Sequence, residues 1–214
     1  MPAIRKNPRP TQEERSGATR ERLISATIDC IAEKGFAGAT SAEISARAGV
    51  SSGARVHHFK AKLDLVVAAV VYTYEQAAVE SVRAATSAAA KADPLRAFID
   101  DSYRFYSGPR YLTQHEVINV GRTAPEIMEA VRPAANAFRV AVNAAWLDAF
   151  GRAGHSRAWS ERAMELSVVI VRGLALGSFL RGRDRDTVVL KLWHDVMAQF
   201  PDERAGKAPR KSTR

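Results

Sequence analysis

Between Thr40 and His58, the run TSAEISARAGVSSGARVHH sets four small residues, Ser51, Ser52, Gly53 and Ala54, ahead of Arg55, His57 and His58. On a helix, small residues at the start let backbone N–H groups approach phosphates, while longer side chains further on reach base edges. That is chemistry for gripping a nucleic acid, and it breaks no covalent bond. Bond-breaking chemistry has little to work with elsewhere. The five histidines are two in this stretch and three scattered singles, with no cysteine beside them and no His-x-x-x-His pair. No metal site is expected from such spacing. There is no phosphate-cradling glycine loop and no Cys–His arrangement. His115 and Glu116 are adjacent and therefore point in different directions on a helix. No catalytic residue and no cofactor is expected.

The elements that must position these residues are two short helices and a turn. Thr40 is a natural N-cap, and Glu43 falls three residues later, where a capping box wants a carboxylate. Ile44 and Ala48 share one face, Gly49 offers the positive φ that ends a helix, and Val50 pins the turn. Ser51 then caps the second helix. Ahead of this pair, Arg20 to Phe36 forms an amphipathic helix closed by Gly35; behind it, Phe59 to Leu65 opens a third periodic segment.

This order of parts resembles the TetR family of bacterial transcriptional repressors. The resemblance rests on Ala32-Glu33-Lys34-Gly35-Phe36, Thr40, Ile44, Ala48-Gly49-Val50-Ser51, Gly53, Phe59, Lys62 and Leu65, and spans about a fifth of the chain. It implies an all-α fold: an N-terminal three-helix DNA-binding head with a helix-turn-helix, then a larger helical ligand-binding and dimerisation domain. By the same resemblance, Thr40, Ser41, Ser51, Gly53, His57 and Lys62 hold phosphates, and Ser52, Ala54, Arg55 and His58 face the bases. Arg55 has the fork that pairs bidentately with guanine. Two positions depart from the family pattern. Arg55-Val56 replaces a Leu-Tyr pair whose phenol touches a phosphate, and Ala61 replaces a capping serine before Lys62.

Charge placement agrees with a nucleic-acid partner. The net charge of the 214 residues is +9. Residues 1–62 hold eleven Lys/Arg against six Asp/Glu, residues 201–214 hold five against two, and the middle is nearly neutral. Such asymmetry suits an anionic partner at one end. Residues 1–17 and 201–214 are polar, basic and without apolar period, so both are expected to be disordered arms flanking domains at 18–62 and 63–200. The amino terminus lacks an apolar signal region, no unbroken apolar run of about 18 residues occurs, and the lone Cys30 sits on an apolar stripe. Those features suit a reducing cytoplasm and no membrane partner.

From Leu63 the apolar residues step by three and four toward Asp93-Pro94, which predicts one long helix. Further helices are expected over Leu95–Tyr106, Tyr111–Val120, Pro125–Phe150 with a bend or interruption at Pro133, Glu161–Leu180 capped by Ser160, and Asp186–Gln199. Gly173 and Gly177, four apart, allow close helix approach, and Leu192, Trp193 and Val196 offer large apolar contacts, so a homodimer interface is expected there. The middle helices supply aromatic residues and polar hooks for a small-molecule effector: Phe98, Arg104, Phe105, Tyr111, His115, Asn119, Phe138 and Trp146. The reading that unites these features is a regulator released from a palindromic DNA operator by a small molecule. A ligand-independent DNA-binding protein and a helical enzyme with a fortuitous helix-turn-helix remain as alternatives.

Overall fold

The computed structural model describes residues 11–202, and the basic arms at 1–10 and 203–214 lie outside the described residues. The described residues form helices joined by turns: α1 Gln12–Gly38, α2 Ser41–Ala48, α3 Ser52–His58, α4 Lys62–Ala85, α5 Ala88–Ala92, α6 Pro94–Tyr106, α7 Pro109–Gly121, α8 Pro125–Arg152, α9 Arg157–Arg181 and α10 Asp186–Ala198. No strand occurs among them.

Most boundaries follow their caps. Several fall elsewhere than expected. Helix α1 starts at Gln12, within the stretch expected to be a disordered arm. The reason is a full capping box: the Thr11 hydroxyl accepts from Glu14 N, and the Glu14 carboxylate accepts from Thr11 N at 2.7 Å. The long helix expected up to Asp93 stops at Ala85 instead, because Ser87 caps the short α5 through Ala90 N. Helix α9 begins at Arg157 with Ser156 as its cap, while Ser160 is buried and donates back to Ser156 O at 2.8 Å. Pro133 lies inside α8 without interrupting it.

The chain packs as two compact units. One comprises residues up to Tyr72 with Thr113–Ala130, and the other Thr73–Leu112 with Val131 onward. The division therefore falls within α4, ten residues beyond the expected boundary at 62/63, and the first unit recruits most of α7 and the start of α8. Thr113 donates to Ile28 O at 3.3 Å, and Val117 and Ile127 are buried, which is why those segments belong with α1. Cys30 is fully buried in α1, and burial raises its thiol pKa. Helix α4 has the length and mean hydropathy, 1.2, of a membrane-crossing helix. Its Leu65, Val66, Ala69 and Val70 are nevertheless buried within the protein, as are the polar Thr73 and Ser81.

The second unit has its own core. Phe98, Trp146 and Phe150 meet edge-on within 5.2–6.2 Å, with Ile99, Trp159 and Leu174 also in that core. A buried polar chain ties three helices together: the Trp146 indole donates to Ser81 Oγ at 2.9 Å, and Ser81 donates to Asp101 Oδ2 at 2.6 Å.

Candidate nucleic-acid interface

The reader is built from α2, a glycine turn and α3. The Thr40 hydroxyl accepts from Glu43 N at 3.2 Å, Gly49 sits at φ 63°, ψ 39°, and the Ser51 hydroxyl accepts from Ala54 N at 3.2 Å. The expected capping box at Thr40 closes only on that side, since the Glu43 carboxylate is drawn to Lys34 Nζ at 2.6 Å. The Gly49–Gly53 run also carries Gly-x-Ser-x-Gly spacing. A nucleophile elbow needs a strand before its serine, whereas here a helix precedes it and Ser51 is used as a cap.

Charged side chains brace this head from within. Arg47 grips Glu33 with both terminal guanidinium nitrogens, Nη1 and Nη2, and Arg22 donates to Ala48 O at 3.4 Å, at the open end of α2. These contacts lower the carboxyl pKa of Glu33, through the Arg47 hydrogen bond, and of Glu43, through Lys34. Exposed pairs of this kind orient more than they stabilise.

Phe36 is held at every polar point. Gly35 breaks α1 at φ 69°, ψ 173°, which frees Phe36 N–H to donate to Glu116 Oε2 at 2.9 Å. Lys62 donates to Phe36 O, and its ammonium lies 4.1 Å from the Phe36 ring centroid. Burial pushes the Lys62 ammonium below the usual lysine pKa. The Lys62 ammonium is thus engaged at the end of α1.

The expected base reader Arg55 is also engaged elsewhere. Its Nη1 donates to Phe59 O at 3.0 Å and Lys60 O at 3.3 Å, and its Nε is buried without a partner. The guanidinium caps the free carbonyls at the end of α3. Ala61 cannot cap α4, but Asp64 reaches back to accept from Ala61 N at 2.9 Å, which replaces half of the missing capping box.

What α3 leaves to solvent is different from the expected set. Thr40, Ser51, Ser52, Gly53, Ala54 and His57 are exposed, whereas Ser41 and His58 are half-buried. Val56 is 46% exposed, an apolar side chain on the reader that sequence reasoning passed over. Lys60 is exposed with no carboxylate partner among the described residues. Its position directly after Phe59, at the α3–α4 corner, was the available signal.

The expected effector residues are divided between the two units. Phe98 and Trp146 are solid core, and Arg104 is 69% exposed and paired with Asp101 at 3.3 Å. His115 and Asn119 bond to each other in the first unit, while the aromatic residues belong to the second. Phe105, Tyr111 and Phe138 instead join Tyr74 and Tyr106 in a separate ring cluster. Arg172 caps that cluster, donating to the Tyr106 hydroxyl at 2.9 Å and lying 4.7 Å from its ring centroid. Burial raises the phenol pKa values of Tyr74, Tyr106 and Tyr111.

On the last two helices an apolar stripe faces solvent. Leu166, Val169, Leu176 and Leu180 on α9, and Val188, Leu192 and Val196 on α10, are each 38–95% exposed. Gly173 is exposed, with open space where a Cβ would stand. Trp193, beside Leu192, is half-buried, and its indole donates to Ser167 Oγ at 2.8 Å.

Residues 23–69 match the family described as bacterial regulatory proteins, tetR family. The chain is 32% identical over 170 residues to the HTH-type transcriptional regulator CymR of Pseudomonas putida, a match that covers 79% of this chain and 84% of CymR. Its fold is similar to that of a transcriptional regulator from Rhodococcus sp. Rha1, at TM-score 0.65 and 23% identity over 84% of this chain and 96% of that one. It is also similar in fold to the multidrug binding protein EbrR complexed with ethidium, at TM-score 0.57 and 22% identity over 84% of this chain and 96% of that one.

Proposed function

We propose, from the premise that this chain belongs to the TetR family of bacterial regulatory proteins and is a DNA-binding transcriptional regulator, that it acts as a homodimeric repressor. In this reading it holds a near-palindromic operator until a small-molecule effector releases it, and it works in the cytoplasm. The observation that carries the dimer is the exposed apolar stripe on α9 and α10, centred on Gly173 and Leu192. A surface of that kind is costly to leave in water and marks a protein contact. Two-fold pairing presents two α3 helices, which matches half-sites about one helical turn apart.

Thr40, Ser51, Gly53, His57 and Lys60 would hold the DNA backbone and fix register, leaving sequence to the exposed side chains of α3. Effector control requires that the ligand prefer one arrangement of the two heads, since a ligand that binds both equally shifts nothing. The Tyr74–Phe105–Tyr106–Tyr111–Phe138 cluster under Arg172 supports a small, largely apolar effector in the second unit. EbrR, which has this fold, is described as a complex with ethidium.

The test is fluorescence anisotropy of a labelled operator, isolated by selection, titrated with the full-length protein and then with a panel of small aromatic and apolar compounds. Two chains per operator, and release by one compound at a saturable site, are expected. Tight binding that no compound relieves would favour the ligand-independent reading.

A further inference from the structure

Resting on the DNA-binding reading above, we infer that the reader helix recognises thymine methyl groups through Val56, with Gly53 beside it, and does not read guanine through Arg55. The helix is seven residues long and turns about 100° per residue. Arg55 and the buried Phe59 lie on its inner side, so Gly53, Val56 and His57 fall together on the outer side. The only long cation on α3 is bound to the carbonyls of Phe59 and Lys60. Its Nε is buried without a partner, so of the guanidinium nitrogens only Nη2 is left uncommitted, and the two-donor fork that pairs with guanine O6 and N7 is not on offer. Swinging Arg55 into a groove would strip the part-buried Phe59 carbonyl of this donor.

The outer face is shaped for close approach. Nothing lies within 4 Å of the place where a Cβ would stand on Gly53. Val56 is 46% exposed, so much of this apolar side chain stands open to a partner. In the major groove the one apolar group a base pair offers is the C5-methyl of thymine. A branched apolar side chain beside the open position of Gly53 is complementary to that methyl. It is not complementary to the O6 and N7 acceptors of guanine.

The experiment uses the full-length protein and the operator obtained by selection from a random duplex pool. Each thymine is replaced in turn by deoxyuridine, which removes only the methyl group, and each guanine by 7-deazaguanine, which removes the N7 acceptor. One thymine per half-site is expected to lose about five- to twenty-fold in affinity on replacement. Val56→Ala is expected to make the protein indifferent to that replacement, with its circular dichroism unchanged, while Val56→Ile retains the discrimination. An operator insensitive to every thymine replacement overturns the inference alone. So does a 7-deazaguanine loss that disappears in Arg55→Ala. A pool with no enriched sequence overturns both this inference and the regulator reading beneath it.

Discussion

At the scale of single residues, the head depends on a backbone fault at Gly35. With φ 69° and ψ 173°, this residue occupies a region open almost only to glycine, although the nearest atom to a built Cβ, Glu116 Oε2, is 3.6 Å away. Gly35→Ala is therefore expected to cost about 1–3 kcal/mol through backbone strain and not through a clash, read as a lower midpoint in urea. Glu116→Ala strips the acceptor from Phe36 N–H and should cost about 1–2 kcal/mol, whereas Glu116→Gln keeps an acceptor oxygen and most of the stability. Lys60 has no internal duty, so Lys60→Ala should leave stability unchanged and weaken every operator variant alike. Its signature is a salt dependence of binding shallower by about one. A sequence-dependent loss would contradict the backbone role. Gly35, Gly49 and Ser51 were legible because glycine and serine declare a local backbone need. The duties of Arg55 and Lys62 were not, since a cation in a sequence does not show which carbonyl it will meet across the fold.

Among elements, what joins α4, α6 and α8 in the second unit is the Trp146–Ser81–Asp101 chain. Ser81→Ala leaves the indole N–H and one carboxylate oxygen without this partner, at an expected cost of about 1–3 kcal/mol. Burial raises the Asp101 carboxyl pKa above its ordinary 3.8, against the pull of the Ser81 hydrogen bond and Arg104. A raised carboxyl favours the folded state while protonated, and that contribution is lost as pH climbs from the ordinary carboxylate value through the raised one. Wild type should therefore lose stability relative to Asp101→Asn as pH rises across that window. A constant difference between the two, measured by urea unfolding at several pH values, would contradict the assignment. Helix starts at Thr40, Pro94 and Pro125 were readable from local cap chemistry. Two serines four apart before α9 were not separable by type. The turn at Gly154, φ 88°, ends just ahead of Ser156 and gives the cap to the earlier serine. The recruitment of α7 to the head was hidden, because Thr113 and Glu116 meet α1 some 80 residues away in sequence.

For the whole molecule, the proposed dimer rests on the exposed stripe on α9 and α10. Leu192 is 62% exposed and Val169 is also 62% exposed, so a charge at either site costs the single chain little. Leu192→Asp is expected to give a folded monomer by light scattering and to lose operator affinity by at least tenfold. A dimer that survives both Leu192→Asp and Val169→Glu would place the interface elsewhere. The glycine spacing and Leu192 pointed to this face from sequence. The bond that Trp193 makes was not legible, since its indole N–H finds an acceptor, Ser167, on the preceding helix. The expected effector residues were legible as aromatic character only, because a ring that packs a core and a ring that would line a pocket look alike in sequence.

The measurement that bears most directly on a dimeric, sequence-reading regulator is selection of bound duplexes from a random pool at moderate salt with the full-length protein. Enrichment of an inverted repeat, with half-sites about one helical turn apart, is the predicted result. A pool that stays random, with binding that salt abolishes equally for every sequence, would contradict it and reduce the head to nonspecific attraction by a basic surface.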